Sequence, residues 1–510
     1  MLASSAARSI RHGRAAARSP SQPTECSARN AWLGLAFTLA RRGDAAGALT
    51  VEEQRRAFVR QLYLAPFESD IVRGSTPADR DEERQTMRDL MSARARLRAE
   101  RSSRHPDPAH IKALQQLVAT LVQTRADQQA ALYARVPDLA GWRGQQPLPQ
   151  GSDLPALVPE GALVVEMLVD EDQTLMLSAA RGDAGLEVAA AFVRIARQDL
   201  VTTIEHALDA ESLGGEPEWR KRALPLADFA KPLAARLNGY NRVVVLPDDL
   251  LWRVPFEALE VEEGKDLASL ASVTYATSLT TLAMQRRNVS PPSETPGQPT
   301  FAAIAAPTLS PDLREQLSIA APGWTAPDMD VGVEAAKTLA SLYGESRKVI
   351  SGADATKAAA QSLLDSADVL LIAAPVQMNS ANPLFSSVLL APGSAGDDTG
   401  RWTLREWFST PGHARILSLP DGSAFGGKRL GAAMDALAWA AAAEGVSTLV
   451  IGRWPATAFE NDTVATSFHE SLTKSSSPLD ALRAAIAAAR AKGKDAPSQW
   501  DGLRLVGDGR

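Results

Sequence analysis

One cysteine, Cys26, stands in a chain of 510 residues. That excludes an intramolecular disulfide and any cysteine-based metal cluster, and it fits a reducing compartment. The six histidines are scattered without HExxH-type helix spacing, so neither a metal nor a cofactor is expected. No apolar run approaches the roughly 20 residues that a membrane span needs, so a membrane is not an expected partner and a cytoplasmic location is. Positive charge is not in excess either: the net charge is −6, which gives no electrostatic footprint for nucleic acid. What remains is ordinary for a soluble protein, with 45% hydrophobic and 22% charged residues. The chain is too long for one hydrophobic core, and about two to four domains are expected.

The first 29 residues carry four arginines before the first acid, Glu25. This Arg- and Ser-rich composition resembles a transit peptide, but a disordered tail or a mis-called start is the stronger expectation, and the segment is set aside from fold reasoning. Residues 30–145 read as helical, with apolar residues at three- and four-residue intervals broken by a Gly43–Asp44 turn. Trp32, Leu35, Gly43 and Ala48 are ordered as in one tetratricopeptide hairpin, but the period does not recur. A helical hairpin packed on its neighbour is the simpler expectation. Two charged helices follow within residues 81–136.

Proline and glycine cluster over residues 141–161, which marks a boundary. Beyond it, residues 155–510 read as one α/β domain. A hairpin turning at Asp170–Asp172 comes first, followed by a third strand. Short continuous apolar runs then alternate with helical stretches: "RVVVLP", "TFAAIAAP", "RKVISG", "DVLLIAAP", "ARILSLP" and "STLVIGRWP". Strands buried on both faces and alternating with helices predict a mostly parallel sheet. The sites of such sheets lie at the carboxyl ends of the strands, here Pro307, Pro375, Pro420 and Trp454.

Five ordered blocks make the reading specific: "RVVVLPDDLLWRVPFEAL", "ISGADATKAAA", "NPLFSSVLLAP", "ILSLPDG" and "STLVIGRWP…SFHESL". Together they resemble the CHAT domain, a caspase-like, separase-related cysteine peptidase domain often fused to tetratricopeptide repeats. The resemblance covers residues 155–505. It implies a three-layer α/β/α sandwich with a mostly parallel central sheet, preceded by a helical region. Active members supply a histidine at one strand end and a cysteine at a later one. Laid on this chain, those positions fall on Pro375 and Pro420. Proline has no nucleophile, no titratable group and no backbone N–H for an oxyanion hole. The conclusion survives small shifts in alignment, because Cys26 is the lone thiol and no histidine lies between His206 and His413. The resemblance therefore predicts the fold and withholds the peptidase activity.

Rival chemistries remain open. Ser418 lies inside the strand that ends at Pro420, Ser423 sits in the following loop, and His413 precedes the strand at its opposite end. Nucleophile, base and orienter do not assemble from these. Gly422 to Lys428 match a phosphate-binding GxxxxGK loop, but Arg429 stands where the Mg²⁺-binding hydroxyl belongs. The expected function is a catalytically inactive scaffold or regulator that binds a protein or peptide. Its crevice would be rimmed by Gln377, Asn379, Asp421, Ser423, Arg453 and Trp454. Against this, Gln377, Asn379 and Asp421 are also turn formers, and Trp454 also suits inter-layer packing. The stretch "WPATAF" carries Ala458 where relatives have an acid.

Overall fold

The computed structural model describes residues 22–510 except 184, 210–214, 289–298, 321–328, 395–397, 410–411, 421–429, 454–462, 475 and 495. The hairpin expected at Asp170–Asp172 forms. β1 (Leu163–Val169) turns back antiparallel into β2 (Thr174–Gly182), which pairs with β3 (Gly185–Val193). The apolar runs that follow become β4 (Arg242–Leu246), β8 (Phe301–Pro307), β9 (Arg347–Gly352), β10 (Val369–Ala373), β14 (Ile416–Leu419) and β15 (Thr448–Gly452). Two further strands, β7 (Ser272–Tyr275) and β16 (Leu503–Gly507), complete one 11-stranded sheet in the order β3-β2-β1-β4-β7-β16-β15-β14-β10-β8-β9. A small ribbon, β5 (Glu260–Glu262) with β6 (Lys265–Asp266), stands apart. So does a three-stranded sheet, β11 (Val376–Gln377), β12 (Ser387–Leu389) and β13 (Arg401–Thr403).

The large sheet has two parallel halves of opposite direction. β1, β4, β7 and β16 run together, β15, β14, β10, β8 and β9 run together, and β15 meets β16 antiparallel. Both faces are covered. On β1 and β4 the residues Leu163, Val165, Val243 and Val245 enter one core, while Val164, Leu168, Val244 and Leu246 enter a second core on the other side. That alternation is the two-residue period of a strand buried on both faces. The result is the expected three-layer α/β/α sandwich with a mostly parallel sheet.

The second core is closed by the N-terminal hairpin, α1 (Gln22–Arg41) and α2 (Ala45–Leu64), through Leu33, Ala36, Phe37, Ala48 and Leu49. Its turn uses Gly43 at φ +84° and Asp44, whose carboxylate accepts the Gly47 N–H at 2.8 Å. A second pair, α3 (Pro77–Arg101) and α4 (Pro108–Arg135), buries only Thr86, Leu90, Ala93, Leu114 and Leu132. Much of the rest of its surface is the charged, solvated face that the sequence predicts, although Met91, Leu117 and Val122 are also exposed on it. α6 (Gly431–Ala443), "GAAMDALAWAAAA", is buried over Ala433–Ala443. Its alanines let neighbours approach from all sides, as an apolar helix requires. Among the described residues no helix is long and apolar enough to cross a membrane.

α7 (Thr463–Leu472) carries His469, 2% exposed, whose Nδ1 shares a 2.8 Å hydrogen bond with the Tyr343 hydroxyl. Burial pulls its imidazole down to about 4. The folded form therefore keeps it neutral, while the unfolded chain protonates it near its ordinary value. The stability this leaves intact above the unfolded value is lost as pH falls from there through 4, by about 3 kcal/mol. His469→Gln should flatten the acid arm of the pH–stability curve measured by urea unfolding. An unchanged slope would contradict a neutral buried His469.

Candidate functional site

β10 and β14 are adjacent and parallel, with Val369 opposite Ile416 and Leu371 opposite Ser418. Their carboxyl ends, and with them Pro375 and Pro420, therefore emerge on the same edge of the sheet. Both prolines are buried. The Pro375 carbonyl accepts the Leu389 N–H at 2.8 Å, which leads the chain into the three-stranded sheet. The Pro420 carbonyl lies against Gly452 at the end of β15, where an added Cβ would come within 1.9 Å of it. Glycine is thus required at 452 by close backbone approach, not by its φ angle. This edge is packed backbone against backbone.

The rival nucleophiles are placed unfavourably. Ser418 is 2% exposed within β14. His413 sits before β14, largely exposed, and its Nδ1 lies 2.6 Å from Asp365 Oδ1. Asp421, Ser423, Trp454, Ala458 and the Gly422–Lys428 loop with Arg429 lie outside the described residues. Among the described residues no group of three His, Cys, Asp or Glu side chains could hold a metal ion.

Gln377 and Asn379 follow Pro375 as expected, but both are engaged locally. The Gln377 amide oxygen accepts from Arg401. Asn379 donates its N–H to Ser386 Oγ at 2.9 Å, and its Oδ1 accepts the Asn382 N–H at 2.9 Å, which is a turn-forming role. Arg453 is turned inward and is 8% exposed. Its guanidinium meets Glu257 at 2.8 Å, Asp501 at 3.1 Å and the Tyr275 hydroxyl at 3.3 Å. Tyr275 also donates to Glu257 at 2.5 Å, and Arg504 stacks over the Tyr275 ring at 4.9 Å. The reason is Coulombic: two buried carboxylates draw the cation away from solvent. Burial holds Asp501 well above the usual carboxylate range, and it pulls Arg504 down to about 10. Among the described residues, Gln377 and Asn379 share no bonding partner with Arg453.

Sequence reasoning missed a second buried ionic cluster, on α2. Arg56 reaches the carboxyl ends of the first half-sheet, donating to the carbonyls of Thr277 (2.5 Å), Met167 (3.3 Å) and Leu246 (3.4 Å). It lies 2.7 Å from Glu166, which is fully buried and held well above its usual range by that burial. Glu53 accepts the Leu279 and Thr280 N–H groups at 2.8 and 3.2 Å, capping α5 (Leu279–Arg287). Arg60 grips Asp435 of α6 with two hydrogen bonds of 2.9 Å and lies 4.3 Å over the Trp439 ring. The available signal was Glu166 in the middle of "LVVEMLV": a carboxylate in a strand otherwise apolar throughout needs a cation brought to it. The half-sheet edge that a ligand would use is thereby filled by the protein's own arginines.

No curated protein matches the chain in sequence. Two crystal structures of the Saccharomyces cerevisiae separase–securin complex are similar to it in structure. One aligns with a TM-score of 0.41 and 10% identity, covering 74% of this chain and 31% of that one. The other aligns with a TM-score of 0.40 and 9% identity, covering 95% and 37%. The chain thus spans about a third of the length of each. The CHAT domain family model matches residues 223–508, more than half of the chain, and all five blocks fall inside that range. The chain belongs to the CHAT domain family.

Proposed function

We propose that this CHAT domain keeps a peptidase-related fold and uses it to hold a protein or peptide partner without cutting it, as a scaffold or regulator. The observation that supports the reading is the pair of buried prolines at adjacent parallel strand ends, in a chain whose lone thiol is Cys26. Acyl transfer needs a nucleophile and a base within hydrogen-bond reach of each other. At these two positions there is neither. A thiol-directed electrophilic peptide, incubated with the folded protein and mapped by mass spectrometry, should modify Cys26 alone. A hydroxyl-directed fluorophosphonate should leave Ser418 and Ser423 unmodified; saturable, fold-dependent modification of either serine would replace this reading with a serine hydrolase. The nucleotide alternative predicts a thermal shift with ATP and Mg²⁺ that Lys428→Ala abolishes. The binding reading predicts no such shift.

A further inference from the structure

Away from the strand ends, a cleft of about 580 Å³ opens between the foot of α3 and the outer side of the three-stranded sheet. Its size is that of a ligand site, and its charge runs against the rest of the molecule. Among the described residues five cations line it, Arg80, Arg84, Lys357, Arg401 and Arg405, against two carboxylates, Asp70 and Glu406, in a chain of net charge −6. Both carboxylates are already taken. Asp70 accepts from Arg405 at 2.6 Å, and Glu406 accepts from Lys357 at 2.8 Å and from the backbone of Thr403 at 2.8 Å. The surplus positive charge rests on the other three. Arg401 is held by two neutral amides, Gln377 and Gln316. Arg80 donates to the Thr76 carbonyl at 3.3 Å. Arg84 pairs with Asp81 at 2.6 Å in a solvent-exposed contact, with the two side chains 62% and 75% exposed, and such a pair contributes little.

Two further features describe the shape of what fits. β13 is an outer strand of its sheet, and Arg401 and Thr403, two residues apart, both face the cleft while Trp402 between them is buried. Residues two apart on a strand point to the same face about 7 Å apart, a spacing that alternate side chains of an extended segment match. Phe385, 45% exposed, forms an apolar shelf in the wall. Its ring packs edge-on at 5.8 Å against Phe67, over which Arg405 lies at 4.7 Å.

We infer that this cleft docks an extended acidic peptide segment, its carboxylates received by Arg80, Arg84 and Arg401 and an apolar side chain resting on Phe385. A polynucleotide fits less well. Nucleic-acid binders spread about 6–10 phosphate contacts along a track, whereas here three surplus cations line a single open cleft beside an aromatic ring. The inference deepens the binding reading by naming a partner class, but it stands on its own geometry. Peptide binding here would be found even if the strand ends proved hydrolytic.

The test is fluorescence anisotropy of the full chain with a fluorescein-labelled glutamate-rich peptide carrying a central phenylalanine. The expected result is saturable binding that weakens with salt and falls by about tenfold or more in Arg84→Glu and in Arg401→Glu. Lys112→Glu, on the exposed far part of α4, should leave it unchanged. Arg84 is exposed enough that its variant folds even if Arg401→Glu does not, which a thermal melt of each checks. Absence of saturable binding, or binding indifferent to Arg84→Glu, overturns the inference. A single-stranded DNA oligonucleotide that binds more tightly than the peptide, with the same arginine dependence, overturns the peptide and assigns the cleft to nucleic acid.

Discussion

Arg60→Met is expected to remove about 3–5 kcal/mol of stability, the range for stripping one partner from a buried ion pair. Arg60 is 2% exposed and is the cation that holds Asp435, whose carboxylate also accepts from Tyr63 at 2.8 Å and Thr281 at 3.2 Å. Burial pushes Asp435 up, and the guanidinium of Arg60 more than offsets it, so the carboxyl sits below its usual range. Without Arg60 that carboxylate is left charged and dry. The matched double variant, Arg60→Met with Asp435→Leu, should recover much of the loss, because a well-packed apolar pair substitutes for a buried ionic one at little net change. Urea unfolding of the four proteins reads the coupling. Losses that simply add would mean that Arg60 stabilises through its packing on Trp439 alone. The same curves read whether residues 30–145 and 155–510 unfold together, since this pair joins α2 to the helix that follows β14. One cooperative transition is the expected form.

Arg453→Met should be of similar size, about 3–5 kcal/mol at neutral pH, with a distinguishing pH dependence. The variant leaves Glu257 and Asp501 buried with their shared cation gone. Asp501 is already held high by burial, and losing Arg453 raises it further. A carboxyl raised in the folded state binds its proton before the unfolded chain does, so the variant's deficit should shrink as pH falls. A deficit that is constant from neutral to acid pH would place the effect in packing and not in the carboxylates. Arg453→Lys should rescue only part, because one ammonium does not span two carboxylates and a phenol as a guanidinium does.

Most strands were legible because they are continuous apolar runs ended by proline or glycine. β7 and β16 were not: "SVTY" is four residues long, and "LRLVG" carries Arg504 in mid-strand. Arg504 reads as solvent-exposed until Tyr275 and Trp252 are seen beneath it at 4.9 and 5.8 Å. The change of direction between β15 and β16 depends on pairing between distant segments, which no local pattern encodes. The family blocks were legible as ordered motifs, and they led to Pro375 and Pro420. Arg453 was misplaced at a rim because its partners, Glu257 and Asp501, come from other parts of the chain. Glu53 and Glu166 illustrate the same limit: the charges were visible, and the partners that keep them buried were not.

The proposed function requires that the two strand ends carry out no peptide-bond chemistry. The most direct measurement incubates purified full-length protein with a complex library of denatured peptides and counts new termini by mass spectrometry. No cleavage above that of the heat-denatured protein is expected, at any pH from acid to alkaline. Reproducible cleavage at a common sequence, retained through repurification and lost on substitution of Ser418 or Ser423, would contradict it.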